Sequence, residues 1–169
     1  ARRAPYNVAV DPNQVLSEVP DLGPPEAPYL PWVEPDAAQL EGEAVTEVAV
    51  SFSEAHTTSW ELADDTWMRR PSGAASGDGF AAANVLVMYV QIRDAGYTDP
   101  AGNFVPETVL EGSGEALLLA GGTAVEAEWS KEDLSTPVEL TDPSGEPLPV
   151  PAGRTWIELV PEDGSVRTS

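Results

Sequence analysis

The sequence predicts an all-β domain, an antiparallel sandwich or barrel-like fold with an N-terminal extended Pro-rich arm and at most one short helix. Two observations support this fold class. Short apolar or alternating segments follow one another between turn residues at intervals of about 8–12 residues, a spacing that indicates about 8–10 short strands. In addition, 17 Pro and 14 Gly residues are spread along the 169-residue chain, which favours many turns and few long helices.

The strands are predicted from residue 43 onward. AVTEVAVSF alternates apolar and polar residues, and TTSWELADDTWMRR predicts two strands around a tight turn at residues 63–65. NVLVMYVQIRD is apolar on both faces over six residues, so it is predicted to be a central, buried strand. PETVLEGSGEALLLAGGTAVEAEWSKED predicts three strands with breaks at Gly112–Gly114 and Gly121–Gly122, and the last strand is predicted at Thr155–Val160.

The composition divides the chain into four segments. Residues 1–18 are predicted to contain a strand at 5–10 and a short helix after Asp11 and Pro12. Residues 19–42 contain six Pro residues and are predicted to form an extended connector without a ladder, packed through Tyr29 and Trp32. Residues 43–162 form the all-β domain, and residues 163–169 are a tail.

The charge of the chain limits its partners. With 29 acidic and 8 basic residues the net charge is −21, which repels phosphate backbones and anionic lipids. We therefore expect no nucleic-acid partner, and a membrane contact only through an upstream lipid anchor. The longest apolar run, Val85–Val90, is far shorter than the roughly 20 residues that span a bilayer. The absence of Cys excludes disulfides and thiolate metal sites.

Side chains that could carry chemistry are better explained by turns and solvated faces. His56 has Ser51, Ser53 and Ser59 nearby in sequence, but no nucleophile elbow surrounds them. Glu126 and Glu128 share one face of a strand, which we expect to be the solvent-exposed face. The loops at Asp99 and Asp142 place oxygen ligands beside Gly, yet neither follows the EF-hand pattern. We predict no catalytic residue, no metal ligand and no cofactor.

Four tryptophans are the candidate ligand-binding residues: Trp60, Trp67, Trp129 and Trp156. All four fall within predicted strands, where two interpretations are open. An aromatic row on a sheet can bind sugars by stacking, whereas large rings more commonly fill the core of a sandwich.

The order of the motifs resembles the YerB-like family of bacterial lipoproteins, a domain of unknown function. The resemblance covers the whole chain and rests on RRAPYNVAVDPNQVL, SWELADDTWMRRPSG, AAANVLVMYVQI, LEGSGEALLLAGGTAVEAEWSKED and TDPSGEPLPVPAGRTWIELVP. Tyr6 stands where the family has His in its Ala-Pro-His-Asn stretch, and Ser130 replaces the first Lys of its Gly-Thr-Trp-Lys-Lys hairpin. The resemblance implies that residues 1–18 are the tail of a preceding N-terminal domain that the chain otherwise lacks, and that a complete C-terminal domain follows the connector.

The resemblance also implies a location and a class of function. It implies an extracytoplasmic, membrane-anchored or envelope-associated protein, and it supplies no catalytic residues. We expect a non-enzymatic lipoprotein module that binds a protein or cell-wall component, its partners being its own upstream domain and an envelope protein or glycan. The alternatives are an accessory part of a cell-wall enzyme whose active site lies in the upstream domain, and an accessory subunit of a membrane complex.

Overall fold

The computed structural model describes residues 11–18, 27–70 and 80–169. Pro12–Glu18 forms a seven-residue α-helix (α1), as DPNQVLSE predicts, and the Asp11 carboxylate accepts a hydrogen bond of 2.9 Å from the Asn13 N–H at its start. The strand predicted at residues 5–10 lies outside the described residues. In the described part, no helix is long and apolar enough to cross a bilayer.

The prediction of an all-β domain is confirmed, with more strands than expected. The described residues contain fifteen strands: β1 Trp32–Val33, β2 Glu43–Ala44, β3 Glu47–Ser53, β4 His56–Ala63, β5 Thr66–Arg70, β6 Ala81–Ala82, β7 Asn84–Val90, β8 Ile92–Thr98, β9 Phe104–Thr108, β10 Gly112–Ala120, β11 Thr123–Lys131, β12 Glu139–Thr141, β13 Val150–Pro151, β14 Thr155–Pro161 and β15 Ser165–Thr168. A short 3₁₀ helix, Pro35–Ala37, lies between β1 and β2.

Two sheets form the body of the domain. One sheet has five strands in the order β15-β3-β4-β5-β6, and the other has six, in the order β12-β11-β10-β7-β14 with β2 also paired to β11. A single hydrophobic cluster contains Val48, Trp60 and Trp67 from the first sheet and Val85 and Val87 from the second. The two sheets therefore pack face to face as a sandwich.

The six-stranded sheet is covered on its second face as well. Leu86, Met88 and Val90 point away from the five-stranded sheet into a second cluster, which includes Leu30 and Val150. Successive residues of β7 thus enter opposite cores, which explains why NVLVMYV is apolar without alternation. Burying each Leu or Met side chain contributes about 1.5–3 kcal/mol to stability.

Within residues 27–42, the described part of the Pro-rich segment, a short ladder forms, which corrects the prediction of a connector without one. Residues 19–26 of the predicted connector lie outside the described residues. Trp32 pairs with Val150 in the parallel bridge between β1 and β13. The Pro31 and Val33 carbonyls accept the N–H groups of Val150 and Ala152 at 3.0 and 2.7 Å. Pro lacks a donor but keeps its acceptor, so a segment that only accepts hydrogen bonds can join a sheet. The buried side chain is Leu30, whereas Tyr29 and Trp32 are partly exposed.

The six-stranded sheet is mixed, so the expectation of antiparallel pairing fails for one pair, between the central β7 and the edge strand β14. Strand β14 runs parallel to β7, with Thr155 opposite Asn84 and Pro161 opposite Val90. The buried Asn84 side chain fixes the start of this pair, because its amide donates to the Pro151 carbonyl at 2.7 Å and contacts the Thr155 hydroxyl at 3.1 Å.

Two sequence predictions about turns are confirmed and one is wrong. Asp64 and Asp65, with φ of 48° and 60°, form the tight turn between β4 and β5. Gly121 and Gly122 form the hairpin turn between β10 and β11. Gly112–Gly114, however, is not a break but the start of β10.

Strand β15, Ser165–Thr168, is part of the five-stranded sheet, whereas the sequence predicted residues 163–169 to be a tail. Val166 of β15 lies opposite the fully buried Val50 of β3. Pairing with β3 gives this short polar segment the backbone partners that its own sequence does not indicate.

A two-stranded hairpin, β8–β9, begins directly after the central strand. It replaces the turn-rich excursion expected at AGYTDPAGNF, and NVLVMYV ends at Val90 instead of continuing into QIRD. Its aromatic residues Tyr97 and Phe104 are 63% and 76% exposed. An ion pair between Arg93 and Glu107 at 2.8 Å links the two strands.

Gly114 is predicted to be required by the packing of Trp129. A Cβ at residue 114 would lie 2.6 Å from the Tyr89 carbonyl oxygen and 2.8 Å from Trp129 Nε1, two atoms joined by a 2.8 Å hydrogen bond. We expect Gly114→Ala to lower the free energy of unfolding by about 1–3 kcal/mol, since overpacking must displace the ring or the strand. Urea denaturation followed by tryptophan fluorescence measures this. The neighbouring exposed Ser113→Ala is the control, and equal stability of the two variants would contradict the explanation.

Candidate functional site

An open groove of about 1000 Å³ lies where the six-stranded sheet extends past the five-stranded one. Its floor includes Leu117 of β10 and Ala124 of β11, and its opposite side is formed by Val166 and Thr168 of β15. Strand β15 is the edge of the five-stranded sheet, so the groove runs between a strand edge and the uncovered face of β10 and β11. We call it the acidic groove, for the residues described next.

Acidic side chains surround this groove. None of its described lining residues is Lys, Arg or His, whereas six carry carboxylates: Glu41, Glu43, Glu115, Glu126, Glu128 and Asp142. The charges stand beside an apolar floor, so the groove offers both a negative potential and hydrophobic contact. That combination suits a cationic segment with apolar side chains.

Two of these carboxylates belong to residues that lie directly opposite each other on neighbouring strands. Glu115 of β10 is directly opposite Glu128 of β11, and Glu126 is opposite Leu117. Directly opposed residues have Cβ atoms roughly 4.5–5.5 Å apart, and like charges at that distance destabilise the sheet. The direct opposition of these two carboxylates is therefore unfavourable for the isolated domain.

Tyr89 marks the end of the groove where the two sheets meet. Burial raises the pKa of its hydroxyl; a hydrogen bond with the Val166 backbone opposes the rise, and the nearby Glu115 adds to it. The phenol therefore stays neutral at physiological pH and acts as a hydrogen-bonding group beside the edge strand.

The aspartate loops use their carboxylates to hold backbone N–H groups. In each loop a hydrogen bond from a nearby side chain is the largest cause of a lowered Asp pKa. The Asn103 side chain donates to Asp99, the Ser135 side chain to Asp133, and the Ser144 side chain to Asp142. At Asp142, Oδ1 also accepts the N–H groups of Ser144 and Glu146 at 2.8 and 3.0 Å. Turn chemistry thus accounts for DPAGN and DPSGE, and the described residues contain no group of three or more potential ligands placed to hold a metal ion.

The structure places the four candidate tryptophans in the interior and brings only two of them together. Trp60, Trp67 and Trp129 are 1%, 0% and 2% exposed, and Trp156 is partly buried against Trp60, with ring centres 5.8 Å apart. Trp60 and Trp67 fill the core between the two sheets and Trp129 belongs to the second cluster, so the faces of these three rings are closed to a sugar. Trp156 keeps part of its ring exposed, and sugar binding stays a prediction for this residue alone.

His56 lies at the exposed start of β4 and contacts Phe52, with ring centres 5.4 Å apart. Of the serines near it in sequence, Ser51 forms a 3.0 Å hydrogen bond with the Thr57 hydroxyl across the hairpin. Both contacts are typical of the turn between two paired strands, here β3 and β4.

The groove was not predicted from the sequence, although one signal could have located its central pair. Glu126 and Glu128 do lie on an exposed strand face, as predicted. The two-residue turn at Gly121–Gly122 fixes the register of β10 and β11, and counting residue pairs away from the turn places Glu115 opposite Glu128. The contribution of β15 could not have been found in this way, because it comes from a segment predicted to be a tail.

Comparisons with known proteins identify the domain. Residues 47–157 match the family described as "Protein of unknown function (DUF3048) C-terminal domain". The chain belongs to this family. Its structure is similar to the crystal structure of YerB protein from Bacillus subtilis, with a TM-score of 0.54 and 20% sequence identity over 76% of this chain and 46% of the YerB chain. The domain thus spans about half of YerB and shares its fold, and no match is found among curated proteins.

Removing one of the opposed charges in this DUF3048 domain is predicted to stabilise it. We expect Glu128→Gln to raise the free energy of unfolding by about 0.2–1 kcal/mol at low ionic strength, because it ends the repulsion with Glu115. The gain should shrink in about 1 M salt, where screening is strong. Denaturation at both salt concentrations measures this, with the exposed Glu54→Gln as control. An equal gain from Glu54→Gln would show that only the net charge matters.

The aspartate loops predict a specific loss of stability in acid. The folded-state pKa of Asp99, Asp133 and Asp142 is lowered, so their contribution is complete above the ordinary pKa near 3.8 and is lost as the pH falls through the folded values. We expect the triple Asp→Asn variant to lose less thermal stability than the wild type between about pH 5 and pH 2.

A matched variant controls for net charge in that experiment. The control replaces three carboxylates that accept no hydrogen bond within the described part of the chain: Glu34, Glu54 and Glu132. Replacing all three by Gln, which we call the control triple, removes the same amount of negative charge as the triple Asp→Asn variant. The same pH dependence in both triples would mean that overall repulsion, and not the loops, governs acid unfolding.

Proposed function

We propose that this domain is a non-enzymatic binding module of the bacterial cell envelope, and that it docks a basic, extended protein segment in the acidic groove. The observation that carries the proposal is the direct opposition of Glu115 and Glu128 beside an apolar floor. An unfavourable pair of charges at an open surface is relieved when a Lys or Arg of a partner lies between them.

The edge of β15 supports an extended shape for the partner. Within the described residues β15 pairs on one side only, with β3, and its outer side borders the groove. An extended peptide can add to such an edge through main-chain hydrogen bonds while alternate side chains face the groove. In that arrangement, basic residues at every second position would lie over Glu115, Glu126 and Glu128.

The proposed location rests on the family resemblance and on the charge. Membership of the family, together with the YerB-like fold, supports an envelope protein held by an upstream lipid anchor. The acidic surface supports a protein partner with positive charge and argues against nucleic acid. A cell-wall glycan is the less favoured partner, because three of the four candidate rings, those of Trp60, Trp67 and Trp129, are buried.

Binding of a designed peptide tests this function. A fluorescein-labelled peptide of alternating Lys and Val is titrated with the protein at low and moderate salt, and anisotropy is recorded. We expect saturable binding that weakens as salt rises, and no binding of the matching Glu–Val peptide. The triple variant Glu115→Gln, Glu126→Gln, Glu128→Gln should bind at least about tenfold more weakly, a loss of about 1.4 kcal/mol.

The control triple separates the groove from general charge. It removes three carboxylates that lie outside the groove and should leave the affinity within about twofold, since distant surface charges are screened beyond roughly 8 Å at physiological salt. Equal weakening in the two triples would refute a groove-specific site. Binding of soluble peptidoglycan fragments with no binding of the basic peptide would favour the cell-wall interpretation instead.

A further inference from the structure

Residues 1–10, ARRAPYNVAV, lie outside the described part of the structure, and their sequence differs in charge from the rest of the chain. They contain Arg2 and Arg3, two of the eight basic residues, and none of the 29 acidic ones. The second half of the segment, YNVAV, alternates larger apolar residues with smaller or polar ones. Adjacent positive charges followed by an apolar alternation are the two properties that the acidic groove complements.

The matching groups of the groove stand on described residues. Glu115 and Glu128 are directly opposite each other, and Leu117 lies on the next row of the same face. A guanidinium placed between Glu115 and Glu128 relieves their repulsion and can bind a carboxylate through paired N–H donors. Alternate residues of an extended chain are about 6.6 Å apart, which equals the spacing from Glu115 to Leu117 along β10. Apolar side chains of the same segment can therefore reach the floor.

No other part of the chain supplies a cation to this groove. Of the described basic residues, Arg70 and Arg93 form ion pairs, Lys131 is buried, and Arg154 donates to a backbone carbonyl. None of the described basic residues lines the groove. The other two segments outside the described residues, 19–26 and 71–79, contain no Lys, Arg or His in their sequences. A cation that the molecule itself supplies to the groove is therefore Arg2 or Arg3.

The connection is long enough for this arrangement within one molecule. Sixteen residues, 11–26, join the segment to the described part of the arm, and seven of them form α1. The helix spans about 10 Å, and the other nine residues can span up to about 30 Å. A domain of roughly 140 residues has a radius of gyration of about 14 Å, so a reach of about 40 Å covers the distance across it.

We propose that residues 1–10 of the same molecule bind in the acidic groove and compete there with the basic segment of a partner protein. This inference rests on the proposed function, because it names an internal competitor for the same site. A tethered segment acts at an effective concentration of up to about millimolar, so even weak binding lowers the apparent affinity of a partner. The groove then admits only a partner whose basic segment displaces the one that the chain itself carries.

Two full-chain variants of equal net charge test the competition. The segment double variant carries Arg2→Gln and Arg3→Gln, and the control double carries Arg70→Gln and Arg93→Gln, which lie outside the groove. The labelled Lys–Val peptide is titrated with each protein at low salt, and anisotropy is recorded. We expect the segment double variant to bind the peptide at least about threefold more tightly than the control double, because its competitor is weakened.

The outcomes separate this inference from the proposed function. If both double variants bind the Lys–Val peptide with equal affinity, the inference is overturned and the proposed function stands. If neither double variant binds the peptide, the proposed function fails, and the inference fails with it.

A synthetic peptide of residues 1–10 locates its binding site. It is labelled and titrated with the segment double variant, and we expect saturable binding that weakens as salt rises. Replacing the three groove residues Glu115, Glu126 and Glu128 by Gln in that variant should weaken binding at least about tenfold. Adding the control triple instead should leave the affinity within about twofold. Equal weakening by the two triples would mean general attraction to an acidic protein and would overturn the inference.

Sedimentation velocity distinguishes binding within one molecule from binding to a second copy. We expect the wild type and the segment double variant to have the same mass at every protein concentration. A dimer that forms in the wild type and not in the segment double variant would assign residues 1–10 to the groove of a second copy and overturn the proposal.

Discussion

The burial of β7 on both faces is the constraint on which the rest of the structure depends. Val85 and Val87 enter the core shared with the five-stranded sheet, and Leu86, Met88 and Val90 enter the second core. A strand with two apolar faces needs two covering layers. The five-stranded sheet supplies one layer, and the Pro-rich segment around Leu30, with the residues near Val150, supplies the other. The arm is thus part of the core, and its removal would expose the central sheet.

The acidic groove follows from the unequal extent of the two sheets. The five-stranded sheet ends at β15, whereas the six-stranded sheet continues through β10 and β11. The face of β10 and β11 that remains uncovered cannot stay apolar, and it carries Glu115, Glu126 and Glu128. Solubility would be served by charges of either sign. The directly opposed Glu pair destabilises the sheet by repulsion, which the proposed cationic partner would relieve.

The sequence by itself determined the all-β class, the buried central strand and the two hairpin turns, because each depends on local residue types. Alternation, Gly–Gly and Asp–Asp act over a few residues, and the pairing of β10 with β11 follows from its turn. Family membership was also accessible from the order of the motifs. The exposed face of Glu126 and Glu128 could be read from the pattern, but its role in a groove could not.

Only the tertiary structure decided which segments pair with and cover the central strand and its hairpins. The parallel pairing of β14 with β7, the ladder of the Pro-rich arm and the incorporation of β15 join residues far apart in the chain. Backbone hydrogen bonds of this kind require no particular side chain, so they leave no periodic signal in the sequence. The same reason explains the tryptophans, because whether a ring on a strand faces solvent or core depends on which distant segment covers it. Here Trp60 and Trp67 are buried between the two sheets, Trp129 is buried in the second core, and Trp156 is buried only in part.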